Sequence, residues 1–262
     1  MQIQIDKQAV KTSFSKAATY YDKFADLQRE IGFELMSLLP KQSKQANSVL
    51  DLGCGTGYFS YQLNLFCNDA NLTCLDLSPA MLLQAKTRVI TNAQFLQADI
   101  DQLPAMDREF DLIFSNLVLQ WSSRLDLCLL NLKPLFNQQT TFAFSTLLEG
   151  SLFELKNAWK SIDNEQHVNQ FLTLSEVEKG IKKAGFTKAR LVTETRVKKF
   201  SNVIAIMKAL KGIGANHVHR DSNNTSTNKQ LLSRLTQAYQ PYLDEDGQYN
   251  LTYQVCYAVI ES

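Results

Sequence analysis

At 262 residues the chain has room for one domain with an appended piece. Its 45% apolar and 20% charged content is that of a soluble globular protein, and no apolar run approaches the ~20 residues a membrane helix needs. The formal net charge of +1 hides an asymmetry: ten bases lie between Gly180 and Arg220 with Glu194 as the sole acid there, which leaves the remainder acidic.

The first residues, Met1 to Asp6, lack a basic stretch followed by an apolar one, so no secretory leader is expected. Residues 6–40 read as helical. Phe14, Ala17, Ala18, Tyr21, Phe24 and Ala25 recur at spacings of three and four, and Leu27, Ile31, Leu35 and Leu38 carry the stripe to Pro40. A polar connector spans 41–47. The run Val49-Leu50-Asp51-Leu52 then meets Gly53, Gly55 and Gly57 at alternate positions, and helical spacing resumes from Tyr58 to Leu63. This pattern predicts a buried strand, a tight glycine turn and a helix start. Glycine tolerates positive φ and lets a ligand approach the backbone closely. The helix start behind the turn adds free N–H groups and a positive dipole end. A small polar ligand of nucleotide type is therefore expected there. The spacing is G-x-G-x-G, with Tyr58 where a dinucleotide fold places its third glycine, which argues against a dinucleotide.

Residues 72–77 read as a second strand carrying Asp76, whose carboxylate suits two ribose hydroxyls, and Ser78-Pro79 supplies an N-cap and a first-turn proline. A third strand, 93–98, ends at Asp99, and a fourth, 110–115, ends at Asn116. Polar groups thus recur at the C-terminal ends of successive strands, the edge at which open α/β sheets bind ligands. A helix is expected from Trp121 to Lys133, broken by Pro134, and a strand over 140–146. Leu152 to Trp159 reads as helical. Ser175 with Glu178 has capping-box spacing for a helix running to Gly185. A strand over 190–195, a helix from Asn202 to Lys211, a polar loop over 221–228 and a final strand over 251–260 complete the chain. The five cysteines are odd in number and form no C-x-x-C, so buried free thiols in a reducing compartment are expected. Cys54 reads as a small residue that fits the turn. The three histidines, His167, His217 and His219, form no H-E-x-x-H pattern, and no metal site is expected.

The set Asp51, Gly53, Gly55, Gly57, Asp76, Asp99 and Asn116 resembles that of the class I S-adenosylmethionine-dependent methyltransferases over roughly residues 45–150. The resemblance implies an α/β, Rossmann-like class I methyltransferase fold. Its central, mostly parallel seven-stranded sheet is flanked by helices, with an N-terminal helical cap and an inserted helical lid. It implies S-adenosylmethionine as cofactor, S-adenosylhomocysteine as product and no metal. Gly53, Gly55 and Gly57 would line the methionine and ribose portion, with Asp51 just before them. Asp76 would bind the ribose hydroxyls. Asp99 and the Ile100 backbone would meet the adenine amino group, Leu77 and Met81 would pack on the adenine, and Asn116 would complete the set.

Segments outside the core are similar to the malonyl-acyl-carrier-protein O-methyltransferase family of biotin synthesis. They are residues 14–22 with Leu27-Gln28, 115–121, 144–147 with 150–152 and Glu154-Leu155, 167–172, 210–217, and 251–254 with Val259-Ile260. One departure is Pro134-Leu135-Phe136-Asn137, where many relatives have Pro-Gly-Gly. The family implies a cap over residues 1–44 and a methyltransferase domain over 45–262. Core motifs would fill 45–148, with lid insertions about 150–180 and 200–245 and the final strand at 251–260. The implied reaction methylates the free carboxylate of malonyl-carrier protein or malonyl-coenzyme A. The implied setting is a cytoplasmic monomer with an acyl carrier protein as partner and neither nucleic acid nor membrane.

A malonyl carboxylate is already ionised at neutral pH, so no general base is expected. Tyr21 is the first candidate to hold it, although the residue also fits the apolar stripe of its helix. Trp121 and His167 either wall the substrate or pack in the core. Lys211 would meet the carboxylate or the carrier's phosphopantetheine, and the 180–220 bases would dock an acidic carrier. Rival readings are another small-molecule methyltransferase and a catalytically silent cofactor-binding protein.

Overall fold

The computed structural model describes residues 5–68, 70–88, 90, 92–215 and 229–262. Seven strands form one sheet: β1 Ser48–Leu52, β2 Asn71–Asp76, β3 Ala93–Gln97, β4 Phe110–Asn116, β5 Phe136–Leu147, β6 Lys188–Phe200 and β7 Tyr249–Glu261. Their order is β3-β2-β1-β4-β5-β7-β6. All pairings are parallel except those of β7, which runs antiparallel to both β5 and β6. The order reverses between β1 and β4, and such a switch point opens a crevice at the strands' C-terminal ends.

Alternation along each strand divides the core into two layers. On one face, Val49, Leu72, Leu112, Phe114 and Val259 meet helices α2 Asp26–Ser37, α3 Tyr58–Phe66, α6 Phe153–Lys160, α8 Val203–Gly212 and α9 Lys229–Tyr239. On the other, Leu50, Leu75, Ile113, Phe142 and Ile260 meet α5 Leu125–Leu132 and α7 Leu174–Lys183. Large side chains such as Phe114 and Leu63 are fully buried. Each such burial contributes roughly 1.5–3 kcal/mol, so Leu63→Ala would cost on the order of 2–5 kcal/mol.

The long N-terminal helix expected over 6–40 is in fact three pieces: α1 Lys7–Ala17, a 3-10 turn Tyr21–Lys23, and α2. Tertiary bonds override the periodicity. Asp22 Oδ1 accepts from Thr56 Oγ1 (2.7 Å), Asp22 Oδ2 accepts from Arg88 Nη2 (2.6 Å), and its carbonyl accepts from Arg29 Nη1 (2.8 Å). A continuous helix could not deliver that side chain to Thr56 in the turn before α3 and to Arg88 just beyond α4 (Pro79–Ala85) while Phe14 and Gln28 both face inward.

The capping box is at Thr173 and Glu176, not at Ser175 and Glu178. Thr173 is extended, its Oγ1 accepts from the Glu176 amide (3.2 Å), and its own amide donates to Glu176 Oε2 (2.9 Å). Both residue pairs have the right spacing, and the first places Val177 and Ile181 in the core. Within the 150–180 segment, α7 packs on α5 in the second layer, so α6 and the loop after it are the parts that face the crevice side. The helix expected from Trp121 begins only at Leu125. Ser122 leaves the helical path to donate to Asp101 Oδ1 (2.5 Å), and Leu119–Trp121 forms a separate 3-10 turn. The polar loop expected over 221–228 lies outside the described residues.

Candidate functional site

The glycine turn after β1 is folded back on β2. The amides of Gly53 and Cys54 both donate to the Leu75 carbonyl, at 2.7 and 2.9 Å. Gly53, Gly55 and Gly57 all have positive φ (79°, 55° and 77°), which L side chains adopt at a cost. Their surroundings differ. A Cβ on Gly57 would fall 2.8 Å from Ala85 Cβ and 2.9 Å from its Cα, so this glycine seats α3 against α4. A Cβ on Gly53 would strike Val118 at 2.3 Å. A Cβ on Gly55 would meet nothing within 4 Å and would project into open space. Gly57 therefore supports the turn without lining the crevice, while Gly53 and Gly55 line it.

Asp76 stands beside this opening. Its Oδ2 accepts from the Gly55 amide (2.9 Å) and its Oδ1 from the Ser78 amide (2.8 Å). Burial nonetheless pushes its carboxyl up to about 6. Asp51, under the turn, accepts from Ser60 Oγ at 2.5 Å, and burial raises it to about 7. Ser78 caps α4 by accepting from the Met81 amide (3.2 Å), which sets Leu77 and Met81 along the crevice wall. Asp99 and Ile100 close the far end. There Lys7 Nζ lies 2.6 Å from Asp99 Oδ1 and 2.9 Å from Asp101 Oδ2, and Ser15 Oγ lies 2.8 Å from Ser78 Oγ, so α1 is tied across the top. Asn116 Nδ2 donates to the Gln28 carbonyl (2.9 Å) and its Oδ1 accepts from Ser145 Oγ (2.7 Å). The crevice has about 610 Å³ of empty space. Asp76, Asp99 and Lys7 line it and Asp51 lies beside it; Lys7 is spent on Asp99, so the remaining carboxyl groups suit a cationic nucleotide-like ligand.

A second cavity, of about 850 Å³, adjoins the crevice. Its walls come from α2, α6, α8 and the 167–171 loop, and they are mainly apolar: Leu152, Leu155, Phe171, Met207 and Leu210 are among them. No Lys, Arg, Asp or Glu among the described residues lines it. Phe14, Tyr21, Leu117 and Trp121 line both spaces and so form the partition between them. Phe14 meets Trp121 edge-on (centroids 5.6 Å, 83°) and Tyr21 at 6.4 Å. Leu117 holds a left-handed backbone (φ 56°) at this junction, with its amide on Ser145 Oγ (2.9 Å). Strain of this kind persists where surrounding bonds over-determine it. Burial and the nearby Asp76 and Asp22 push the Tyr21 phenol far above its ordinary value, so it stays protonated.

Of the other substrate candidates, Trp121 is on the partition and His167 is on the cavity wall. His167 stacks on Trp159 (3.9 Å, 12°) with Nε2 2.7 Å from Asp163 Oδ1. Lys211 is exposed and is not among the residues that line either space. It follows Leu210 by one residue, about 100° around α8, so the apolar Met207–Leu210 face turns inward and the ammonium outward. Sequence reasoning did not single out Lys7, Phe14, Gln28 or Leu117 as site residues. Among the described residues no group of His, Cys, Asp and Glu is placed to hold a metal ion. His217 and His219 lie outside the described residues. No described helix is long and apolar enough to cross a membrane.

A family profile described as a methyltransferase domain matches residues 43–232. A malonyl-[acyl-carrier protein] O-methyltransferase of Yersinia pestis is 38% identical over 258 residues, covering 98% of this chain and 92% of that protein. One of the same name from Methylococcus capsulatus is 36% identical over 236 residues, covering 89% and 86%. Among solved structures, the YcgJ protein of Bacillus subtilis aligns with a TM-score of 0.59 at 15% identity, covering 88% of this chain and 97% of that one. The DhpI–SAH complex aligns at 0.52 and 16%, covering 72% and 90%. These two share the fold.

Proposed function

The chain belongs to the family of malonyl-[acyl-carrier protein] O-methyltransferases, and from that premise we propose that it methylates the free carboxylate of malonyl-carrier protein with S-adenosylmethionine. The observation that carries this reading is the partition of Phe14, Tyr21, Leu117 and Trp121, which joins an acidic, glycine-lined crevice to a cavity with no charged lining among the described residues.

The crevice residues fit the cofactor. Gly55 leaves open the space that a Cβ would fill, and Asp76, which has no cationic partner among the described residues, offsets its positive charge. In this reading Asp76 holds the ribose hydroxyls, and Asp99 with the Ile100 backbone holds the adenine amino group. Leu77 and Met81 cover the ring. Gly53, Gly55 and Asp51 take the methionine end, Gly57 keeps the turn in place, and Asn116 fixes the wall. Bound there, S-adenosylmethionine would supply an electrophilic methyl, its sulfur taking the C–S electron pair as the carboxylate O–C bond forms, with no proton to be moved.

The protein's task is to position and to exclude water. Fixed geometry of this kind supplies roughly 7–11 kcal/mol in favourable systems. Tyr21, protonated, donates a hydrogen bond to the carboxylate and does not act as a base. Opposite charges disappear as the ester forms, so a wall with no cation among the described residues avoids over-stabilising the ground-state carboxylate. Trp121 and His167 wall the malonyl group. Lys211 and Lys208, both exposed on α8 beside the cavity-lining Met207 and Leu210, meet the acidic carrier or its phosphopantetheine phosphate. The methyl ester hides a charge that chain-elongating sites exclude, which suits an early step of biotin synthesis. The five cysteines are free and buried, which supports work in a reducing cytoplasm.

The test is transfer of labelled methyl to malonyl-carrier protein, malonyl-coenzyme A and acetyl-carrier protein. Label on the malonyl species alone is the expected result. Cofactor binding with no transfer to either malonyl species would overturn the assignment.

A further inference from the structure

Gln28 has a buried amide oxygen with no hydrogen-bond partner among the described residues. Leaving such a group unpaired costs about 1–3 kcal/mol, so a native structure that keeps one invites an account of what meets it. Its place supplies the account. Gln28 lines the cavity that has no charged side chain among the described residues, and also the pocket beside the crevice formed by Arg29, Asp51, Gly53 and Gly55; among the described residues the only other one that lines both is Tyr21. Its backbone is held independently of its side chain, because the carbonyl accepts from Asn116 Nδ2 at 2.9 Å. The side chain is therefore presented at the junction by a fixed segment of α2 and is engaged by nothing described around it.

We propose that the Gln28 amide, together with the Tyr21 phenol, grips the substrate carboxylate that accepts the methyl group. The inference rests on the functional reading above and names the groups that select a carboxylate. No described cation lines the cavity, and Arg29 of the adjoining pocket is already taken up by the Asp22 carbonyl and the Asp26 carboxylate, so neutral donors replace the anion's water. An amide offers N–H donors and, by a half-turn about its last bond, exchanges oxygen for nitrogen at the orphaned position. One carboxylate oxygen then accepts from Gln28 and Tyr21 while the other faces the crevice. Neutral donors orient the anion and leave it nucleophilic, as a reaction that consumes the charge requires. The same arrangement rejects a methyl group in place of the carboxylate, because the amide would again be buried without a partner.

The experiment compares the unmodified protein with Gln28→Met, of similar length but without hydrogen-bonding atoms, and Gln28→Glu. Binding of malonyl- and acetyl-carrier protein is measured without cofactor, S-adenosylmethionine binding is measured separately, and methyl transfer follows. Gln28→Met is expected to weaken malonyl-carrier binding about tenfold and kcat/KM about a hundredfold. Acetyl-carrier affinity should stay within about twofold, and the separately measured cofactor affinity serves to correct kcat/KM for any change at the methionine end. Gln28→Glu, which sets like charges together, should weaken malonyl-carrier binding further with acetyl-carrier binding again unchanged. Equal losses for the two carriers would mark a structural role and overturn the inference, as would unchanged malonyl binding. Absence of transfer by the unmodified protein would instead overturn the functional reading and this inference with it.

Discussion

Lys7 of α1 and Asp99 beyond β3 are 92 positions apart in the chain, and their charged atoms are 2.6 Å apart across the end of the crevice. Asp101 shares the same ammonium at 2.9 Å, so one lysine fastens the cap to the loop that would receive the adenine. Both partners are part-exposed, which limits the pair to roughly 1 kcal/mol after screening. Lys7→Met should therefore leave the fold intact and speed cofactor dissociation about two- to fivefold. Stopped-flow release of bound cofactor, repeated at high salt, checks this; the unmodified protein should approach the variant as salt rises.

The pH dependence should have two opposed parts. Asp76 is held near 6 against an ordinary 3.8, and Asp51 near 7. Between about pH 4 and 7 the folded, free protein keeps protons that the unfolded chain has released, so its stability falls as pH rises through that window. A ribose needs the ionised Asp76, so cofactor affinity should rise over the same range, nearly tenfold per unit below about 6. Calorimetry between pH 5 and 8 should show both trends. Asp76→Asn should flatten the lower part of the melting curve and remove most cofactor binding.

The glycines of the turn should separate fold from binding. Gly57→Ala places a methyl against the Ala85 backbone at 2.9 Å and imposes left-handed strain, so it should cost several kcal/mol of stability, of order 2–4. Gly55→Ala carries only the strain, about 1–2 kcal/mol, yet sends its methyl into the crevice. Gly55→Ala should fold and bind cofactor at least tenfold more weakly. Thermal melts alongside equilibrium dialysis distinguish the two.

Tyr21→Phe keeps the ring that meets Phe14 and removes the hydroxyl. Turnover should fall about 10- to 100-fold with cofactor affinity within twofold. Because the phenol is protonated throughout, neither protein should lose activity up to pH 9 through this residue. Turnover equal to that of the unmodified protein would remove Tyr21 from the mechanism.

Several bases of β6 are already engaged: Arg196 and Lys198 with Glu30, and Lys199 with Asp244. That concentrates the carrier-docking prediction on α8. Lys208→Glu with Lys211→Glu should raise KM for malonyl-carrier protein about tenfold, lessen its salt dependence and spare malonyl-coenzyme A. Steady-state kinetics at two ionic strengths reads all three.

The crevice at the strand ends was legible in the sequence because its parts are local. Each strand end, from Asp51 to Asn116, is read where the apolar run stops, and the glycine turn identifies itself by spacing. The sheet was legible for the same reason, through alternation and the apolar runs of β1, β2 and β4. Long-range ties were not. Nothing at position 7 points to position 99, and nothing in the stripe from Phe14 to Leu38 marks the break that Asp22 makes by reaching Thr56 and Arg88. Sequence spacing reads a capping box at Ser175 and Glu178, but the one that forms, at Thr173 and Glu176, has the same spacing and goes with the burial of Val177 and Ile181. Lys211 belonged to a family-like segment, but the helical angle that turns Leu210 inward turns the lysine out.

β7 follows β6 in the chain, yet it lies between β5 and β6 and pairs with both. Until β7 is made β6 has no partner in the sheet, and its row of N–H and C=O groups remains an open edge. The nascent chain can assemble β3, β2, β1, β4 and β5 as a parallel unit, but it must hold β6 in reserve until residues 249–261 emerge. Completion is then a single insertion of an antiparallel strand into a waiting gap. Folding of this enzyme on the ribosome is thus expected to end in one abrupt event, with the interval before it the period of greatest exposure to aggregation.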